Sequence, residues 1–212
     1  MLASPVRARQ SGFPYLQECA VTVVIETPRL RLRTLDPERD ADAILTLVND
    51  PGFIAGINDR GIRTREQASV HLREWAQAHH DMYGFAHWAL ETRDGSTFMG
   101  TLGLLCRDTL PVPHLGFALL PAYRGKGYVR EAGRAVLDYA RDGLGLTQLC
   151  AIVSPDNAAS IRALEALGLH REGLRVLSPG TDALAYYTIN LAPADMDSTP
   201  GVRHPAGLPP TA

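Results

Sequence analysis

The sequence predicts an α/β domain: a mixed, mostly antiparallel central sheet of about seven strands with helices on both faces, in the order β-α-α-β-β-β-α-β-α-β-β. Three observations carry this expectation. Apolar residues alternate with a period of two in some runs and near 3.6 in others. Two strand-like runs flank Asp94-Gly95, which is a hairpin signal. From residue 114 onward, strand and helix patterns alternate, and such a chain needs helices packed on a sheet. The 212 residues suit one domain with short extensions.

Residues 28–35 alternate Leu30 and Leu32 with Arg29, Arg31 and Arg33, a half-buried strand with a solvated arginine face. Asp36-Pro37 reads as an N-cap with proline in the first turn, opening a helix with Ala41, Ile44, Leu45 and Val48 on one side. Residues 49–63 are interrupted by Pro51, glycines and Asn58-Asp59, and are expected to be a loop. Thr64 and Gln67 form a capping box before a helix carrying Ala68, Leu72, Trp75 and Ala76. Strands follow at 85–92, 97–105 and 114–120. A helix with Val129, Ala132, Gly133, Val136 and Ala140 on one face comes next. Residues 148–153 (QLCAIV) have the unbroken apolar character of a buried strand. Asn157 opens a helix with Ile161, Leu164 and Leu167 inward and Gly168 as its stop. Runs at 169–177 and 183–191 pair around Ser178-Pro179-Gly180. Residues 1–22 read as a flexible extension, 23–192 as the domain, and 193–212 as a disordered Pro- and Gly-rich tail.

Composition narrows the function. A hydrophobic content of 45% and a net charge of −2 give no overall attraction to nucleic acid or to an anionic membrane. No apolar run has the length of a membrane span, of about 18 residues or more, and no secretory leader is read at the N-terminus. Cys19, Cys106 and Cys150 are scattered, which argues against a disulfide framework and suits a reducing cytoplasm. His71, His79, His80 and Asp81 match no compact metal site, and a G-x-S-x-G nucleophile motif is missing. Trp75 and Trp88 stand at apolar positions and read as core residues.

The segment Leu119 to Val129 (LLPAYRGKGYV) carries the chemistry. An apolar strand enters a tight basic turn that opens a helix. Glycines at 125 and 127 let the backbone curl so that several N–H groups face one point. The helix start adds unpaired donors and partial positive charge, and Arg124 and Lys126 add formal charge. This is a phosphate or pyrophosphate site. It is not a Walker loop, which needs GxxxxGK[ST]. Nor is it a dinucleotide fingerprint, because Arg130 stands where the third glycine belongs and the next strand ends at Val153-Ser154 without an acidic residue.

These residues resemble the GNAT superfamily of acetyl-CoA-dependent N-acetyltransferases. Arg124 and Gly127 match its pyrophosphate-loop pattern [QR]-x-x-G-x-[GA]. Strand 148–153 follows at the family's spacing, and Asn157 through Ser160 to Leu167-Gly168 resembles its N-x-x-S…L-G segment. The opening, Glu26 to Arg33, is similar to the branch of ribosomal-protein N-terminal acetyltransferases. Val129 departs from the loop pattern, which prefers Gly or Ala there. Leu164 stands where many relatives carry a tyrosine that protonates the departing thiolate.

The resemblance implies transfer of an acetyl group from acetyl-CoA to a primary amine, a protein N-terminus or a small molecule, by direct attack. It implies pyrophosphate binding by Arg124, Gly125, Lys126, Gly127, Tyr128 and Val129. Pantetheine is expected to pair along the strand ending at Leu119, with an oxyanion donor near Phe117 or Ala118. Asn157 is expected to make a polar contact to the coenzyme, and Ser160 to bind coenzyme or cap the helix. His114 is the candidate general base: it lies two residues before Gly116, where this branch often has a glutamate facing the acceptor, and histidine titrates in the useful range. Glu91 is a second candidate base, otherwise a strand-edge charge. The stretch 49–63 and the turn 178–182 are expected to form the acceptor site, in which Asp50 and Asp59 are the acidic residues. The competing expectation is a non-catalytic acyl-CoA-binding regulatory module, favoured by Leu164. Neither monomer nor homodimer is selected.

Overall fold

The computed structural model describes residues 21–191, so the expected extension, apart from Val21 and Thr22, and the expected tail lie outside the described residues. The elements are β1 (Val23–Glu26), β2 (Leu30–Thr34), α1 (Ala41–Val48), α2 (Pro51–Gly56), α3 (Arg65–Leu72), a π-helical turn (Arg73–Gln77) and α4 (Ala78–Tyr83). They continue with β3 (His87–Thr92), β4 (Phe98–Leu105), β5 (His114–Leu119), a 3-10 turn (Pro121–Tyr123), α5 (Tyr128–Asp142), β6 (Gln148–Val153), α6 (Ala158–Ala166), β7 (His170–Arg175) and β8 (Leu184–Asn190). One sheet runs in the order β1-β2-β3-β4-β5-β6-β8-β7. All neighbours are antiparallel except β5 and β6. The sheet has eight strands rather than seven, because the short β1 pairs with β2 ahead of the expected first strand.

Each face of the sheet has its own core. On one face Leu30, Leu32, Trp88, Leu90, Leu102, Leu115 and Leu119 pack beneath α5 and α6. Helix α5 presents Ala132, Gly133, Val136, Leu137 and Ala140 to them. A Cβ on Gly133 would stand 2.7 Å from Leu167 Cδ1, so a larger residue there would have to displace that buried side chain. On the other face Leu35, Ile44, Leu47, Phe53, Leu72 and Ala89 pack with α1, α2 and α3. Each fully buried Leu or Ile contributes about 1.5–3 kcal/mol.

Four local expectations are corrected. Residues 51–56 form a short helix, not loop; Asp50 caps it by accepting from the Phe53 N–H at 2.9 Å, and Pro51 takes its first turn. Asp36 accepts from the N–H groups of Glu38 (2.9 Å) and Arg39 (2.7 Å), but this organises a turn, and α1 begins only at Ala41. The capping box at Thr64 and Gln67 forms, yet the helix it starts passes through a π turn at 73–77 before α4.

The fourth correction concerns the arginine face. Arg33 is 1% exposed, because α1 covers that end of β2. Its guanidinium donates to both Asp40 oxygens at 2.7 Å and to Glu91 at 2.6 and 2.9 Å. Arg31 and Arg39 also donate to Glu91, at 3.0 Å each. Glu91 is therefore not a strand-edge charge: β3 lies between β2 and β4, and its carboxylate is 2% exposed. Three guanidiniums saturate it, so it is not available as a base. Burial alone would raise its pKa, but these arginines hold it below the usual carboxylate value.

Candidate active site

Strands β5 and β6 touch at one register point, His114 with Cys150, reinforced by the Cys150 N–H donating to the Pro113 carbonyl at 3.0 Å. Beyond it the strands diverge. Residues 115–119 remain paired to β4 on one edge and have no β6 partner on the other. A sheet interior normally satisfies both edges of a strand. Here a groove opens in the middle of the sheet, running from His114 toward the end of β5.

The glycine bend closes the open end of that groove. Gly125 (φ 73°) and Gly127 (φ 78°) are both left-handed, a conformation that costs an L-residue about 1–2 kcal/mol. Gly127 is the N-cap residue of α5, and no side chain among the described residues caps that helix. The N–H groups of Gly125, Lys126 and Gly127 form no backbone hydrogen bond among the described residues, and all three residues are exposed. The bend thus offers a concave row of free donors at the positive end of a helix.

Side chains hold this bend in place. Arg124 donates through Nε to the Leu119 carbonyl at 2.9 Å and pairs with Asp50, the cap of α2. A Cβ on Gly52 would lie 2.6 Å from the Arg124 Nη1, so the glycine leaves the guanidinium its room. Burial works to raise the Asp50 pKa, but Arg124 and the Phe53 N–H outweigh it and hold the carboxylate low. Arg124 therefore ties the bend to α2. On the other side Glu131 accepts from the Thr27 hydroxyl (2.7 Å), the Arg29 N–H (3.0 Å) and Arg29 Nε (2.6 Å). Arg29 lies over the Tyr128 ring at 4.7 Å, and Lys126 over Tyr123 at 5.9 Å.

Asn157 caps α6 by accepting from the Ser160 N–H at 3.1 Å, and its side-chain nitrogen would lie 2.8 Å from a Cβ on Gly56. Helices α2 and α6 thus approach each other at Asn157. Phe117 and Ala118 lie on opposite faces of β5: Phe117 packs toward α5, Ala118 toward α1 and α3. Leu164 is 2% exposed in the core under α6.

His114 is 4% exposed. Its Nδ1 is 3.0 Å from the Leu105 carbonyl, which can only accept; Nδ1 therefore carries the proton and Nε2 keeps its lone pair. Burial, then the charge of Arg107, lowers its pKa to about 4. The imidazole is neutral at any ordinary pH. Sequence reasoning missed its neighbour His87. A Cβ on Gly116 would lie 2.6 Å from His87 Nε2 and 3.8 Å from His114 Nε2, so both rings stand over the glycine. The register places His87, Gly103 and Gly116 in one row across three strands. The bare Gly116 was the available signal, since a glycine in a central strand leaves space for a neighbour.

Comparison with known proteins bears on the family and the fold. An acetyltransferase (GNAT) domain model matches residues 29–170. The uncharacterised protein YkkB of Bacillus subtilis strain 168 is 31% identical over 149 residues, 68% of this chain and 83% of that protein. A GNAT-family acetyltransferase from Bacillus anthracis superposes with a TM-score of 0.66 at 22% identity, covering 79% of this chain and 98% of that one. The ribosomal-protein α-N-acetyltransferase RimL, determined in complex with coenzyme A, superposes with a TM-score of 0.68 at 16% identity over 80% of this chain and 98% of that one. The chain belongs to the GNAT family of acetyltransferases and is an acyltransferase.

Proposed function

We propose that this chain transfers an acetyl group from acetyl-CoA to a primary amine by direct attack. The observation that carries the reading is the groove between β5 and β6 ending on the free N–H groups of Gly125 to Gly127. The bend fits a pyrophosphate: its donors are unpaired, its helix end is positive, and Lys126 adds charge. A Cβ on Gly125 would meet nothing within 4 Å, so the space in front of it is open. Gly125, Lys126, Gly127, Tyr128 and Val129 hold the pyrophosphate through their N–H groups, with Arg124 fixing the loop rather than binding directly. The free edge of β5 takes the pantetheine amides as an added strand would, and an N–H near Phe117 or Ala118 faces the thioester oxygen as it gains charge.

The acceptor amine approaches from the α1–α4 face. His114 accepts its proton at Nε2 while Leu105 fixes the ring. An imidazole with so low a pKa is a weak base, so it is asked for only the lower end of the general-base range, about 100-fold. The thiolate needs little help, because a thiol pKa is modest, about 8.5. Asn157 and Ser160 border the groove at the start of α6 and contact the coenzyme there.

The buried Leu164 favours a second reading, an acyl-CoA-binding regulatory module. Isothermal titration with acetyl-CoA followed by thiol release against a panel of amines separates the two. Binding with turnover supports the transferase, and binding without turnover on any amine supports the module. Failure to bind acetyl-CoA removes the assignment of the bend.

A further inference from the structure

His87 Nε2 is buried, lies over β5 and has no hydrogen-bond partner among the described residues. The whole residue is only 8% exposed. A buried polar atom without a partner calls for an explanation.

The surroundings hold the ring where it is. His87 opens β3, and its row across the sheet continues with Gly103 on β4 and Gly116 on β5. Neither glycine carries a side chain, so the imidazole extends across β4 and ends over β5. On the helical side Trp75 packs against the His87 ring at 4.9 Å, and His71 stacks on Trp75 at 5.2 Å, a wall of three rings. His87 Nδ1 lies 3.4 Å from the Thr101 hydroxyl. A hydroxyl can accept that nitrogen's proton. A buried acceptor without a partner is also better tolerated than a buried donor. This tautomer has its proton on Nδ1 and a lone pair on Nε2. Burial, and then His114, keep the ring neutral.

A second lone pair stands beside the first. His114 lies two residues before Gly116 on the same face of β5. Its Nε2 is 3.8 Å from the point that a Cβ on Gly116 would occupy, and His87 Nε2 is 2.6 Å from the same point. A small group over Gly116 is thus within reach of both nitrogens. Gly116 belongs to the stretch of β5 that pairs with β4 on one edge and leaves the other to the groove.

We propose that His87 is a second amine-contacting residue: the Nε2 atoms of His87 and His114 together hold the acceptor nitrogen over Gly116. This rests on the transferase reading above and adds a residue to its acceptor site. A neutral primary amine has two N–H donors and one lone pair. With one N–H on each imidazole, the lone pair is left for the thioester carbon, so the two rings orient the nucleophile as well as bind it. As the C–N bond forms, the C–S bond breaks and its electron pair leaves with sulfur. The proton facing His114 passes to Nε2 of that ring, and from there to the thiolate or to solvent. The N–H facing His87 stays on nitrogen and becomes the amide N–H of the product.

Two measurements test this. The first uses the unaltered protein saturated with coenzyme A, at a pH where both rings are neutral. Nitrogen NMR of isotope-labelled histidines reads which ring nitrogen of His87 carries the proton. Nε2 should be unprotonated, and a proton there overturns the proposal. The second follows thiol release from acetyl-CoA, with the best primary amine of the panel, in His87→Phe and His87→Gln. Phenylalanine keeps a ring against Trp75 and removes both nitrogens, whereas glutamine returns a hydrogen-bond acceptor. His87→Phe should lower kcat/KM for the amine by about 10- to 100-fold, the loss of one hydrogen bond to a group that gains charge, with acetyl-CoA affinity unchanged. His87→Gln should recover activity to within about fivefold of the parent protein. If His87→Phe stays within about threefold of the parent, or if both variants lose the same amount, His87 only packs against Trp75 and the proposal is overturned. If acetyl-CoA does not bind, or binds while no amine is turned over, the transferase reading fails first and this inference goes with it.

Discussion

Lowering the pH from about 7.5 to about 5 should destabilise the fold by about 2 kcal/mol through His114 alone. The side chain is 4% exposed and its pKa falls from 6.5 to about 4 in the fold, chiefly by burial and then by Arg107, against the opposing pull of its bond to Leu105. Below 6.5 the unfolded chain binds a proton that the native state refuses. Stability therefore falls as the pH drops through that value, and the loss levels off only near the folded pKa. Integrating between the two pKa values down to about pH 5 gives the stated figure. His87 and His71 are also lowered, each first by burial, and act in the same direction. The depressed carboxylates Asp50, Glu91 and Glu131 lose their contributions only as the pH falls through the lower carboxylate range, so the interval above about pH 5 belongs to the histidines. His114→Asn isolates the effect, since its amide can still donate to Leu105 but does not titrate. Urea unfolding at both pH values should show the variant losing about 2 kcal/mol less than the parent protein. Equal losses would refute the assignment of a neutral, desolvated His114.

Three further outcomes follow from named contacts. Glu91→Ala leaves Arg33 buried with one of its two acids gone and should cost about 3–5 kcal/mol in urea unfolding; a loss within about 0.5 kcal/mol would place Arg33 in contact with water. Gly127→Glu puts a carboxylate against the pyrophosphate and forces a φ of 78° on a residue with a side chain, so acetyl-CoA affinity should drop by about a hundredfold or more with the fold retained by circular dichroism. Gly116→Ala places a methyl 2.6 Å from His87 Nε2 and must move that ring; the acceptor KM should rise while acetyl-CoA affinity holds, and an unchanged acceptor KM would detach His87 from the site.

Local signals were legible where one residue decides one bond. Thr64 with Gln67, Asn157 at the start of α6 and the glycines of the bend all act at short range. The alternation of Leu30 and Leu32 placed β2, but it could not say that the opposite face is covered as well. A strand with arginines on one side reads as half-solvated until α1 folds over Arg33 and supplies Asp40 from seven residues away. Asp50 shows the same limit. In sequence it is an acid in an irregular stretch; in the fold it caps α2 and holds Arg124 from across the domain. The wall formed by His71, Trp75 and His87 joins a helix to a strand, and no spacing rule connects them. His114 was visible as a residue type near Gly116, but its burial and its neutral state depend on β4, on Arg107 and on His79.

The pH dependence of transfer follows from where the titrating groups sit. A primary alkyl amine has a pKa near 10, so its reactive neutral fraction rises about tenfold per pH unit up to that point. His114 is neutral throughout this range because its pKa is about 4, and it adds no inflection. Leu164 lies in the core, so no tyrosine at that position adds one on the alkaline side. For a simple amine, kcat/KM should then climb from about pH 6 to about pH 9 along a single line of unit slope. His114→Asn should lower that line by up to about 100-fold without bending it. A histidine that regained an ordinary pKa when coenzyme and acceptor bind would leave a different mark. The parent protein would show a break near pH 6.5 in kcat, and the variant would lose it. That result would mean that acceptor charge, rather than burial, sets the protonation of His114, and the assignment of a permanently neutral base would fall.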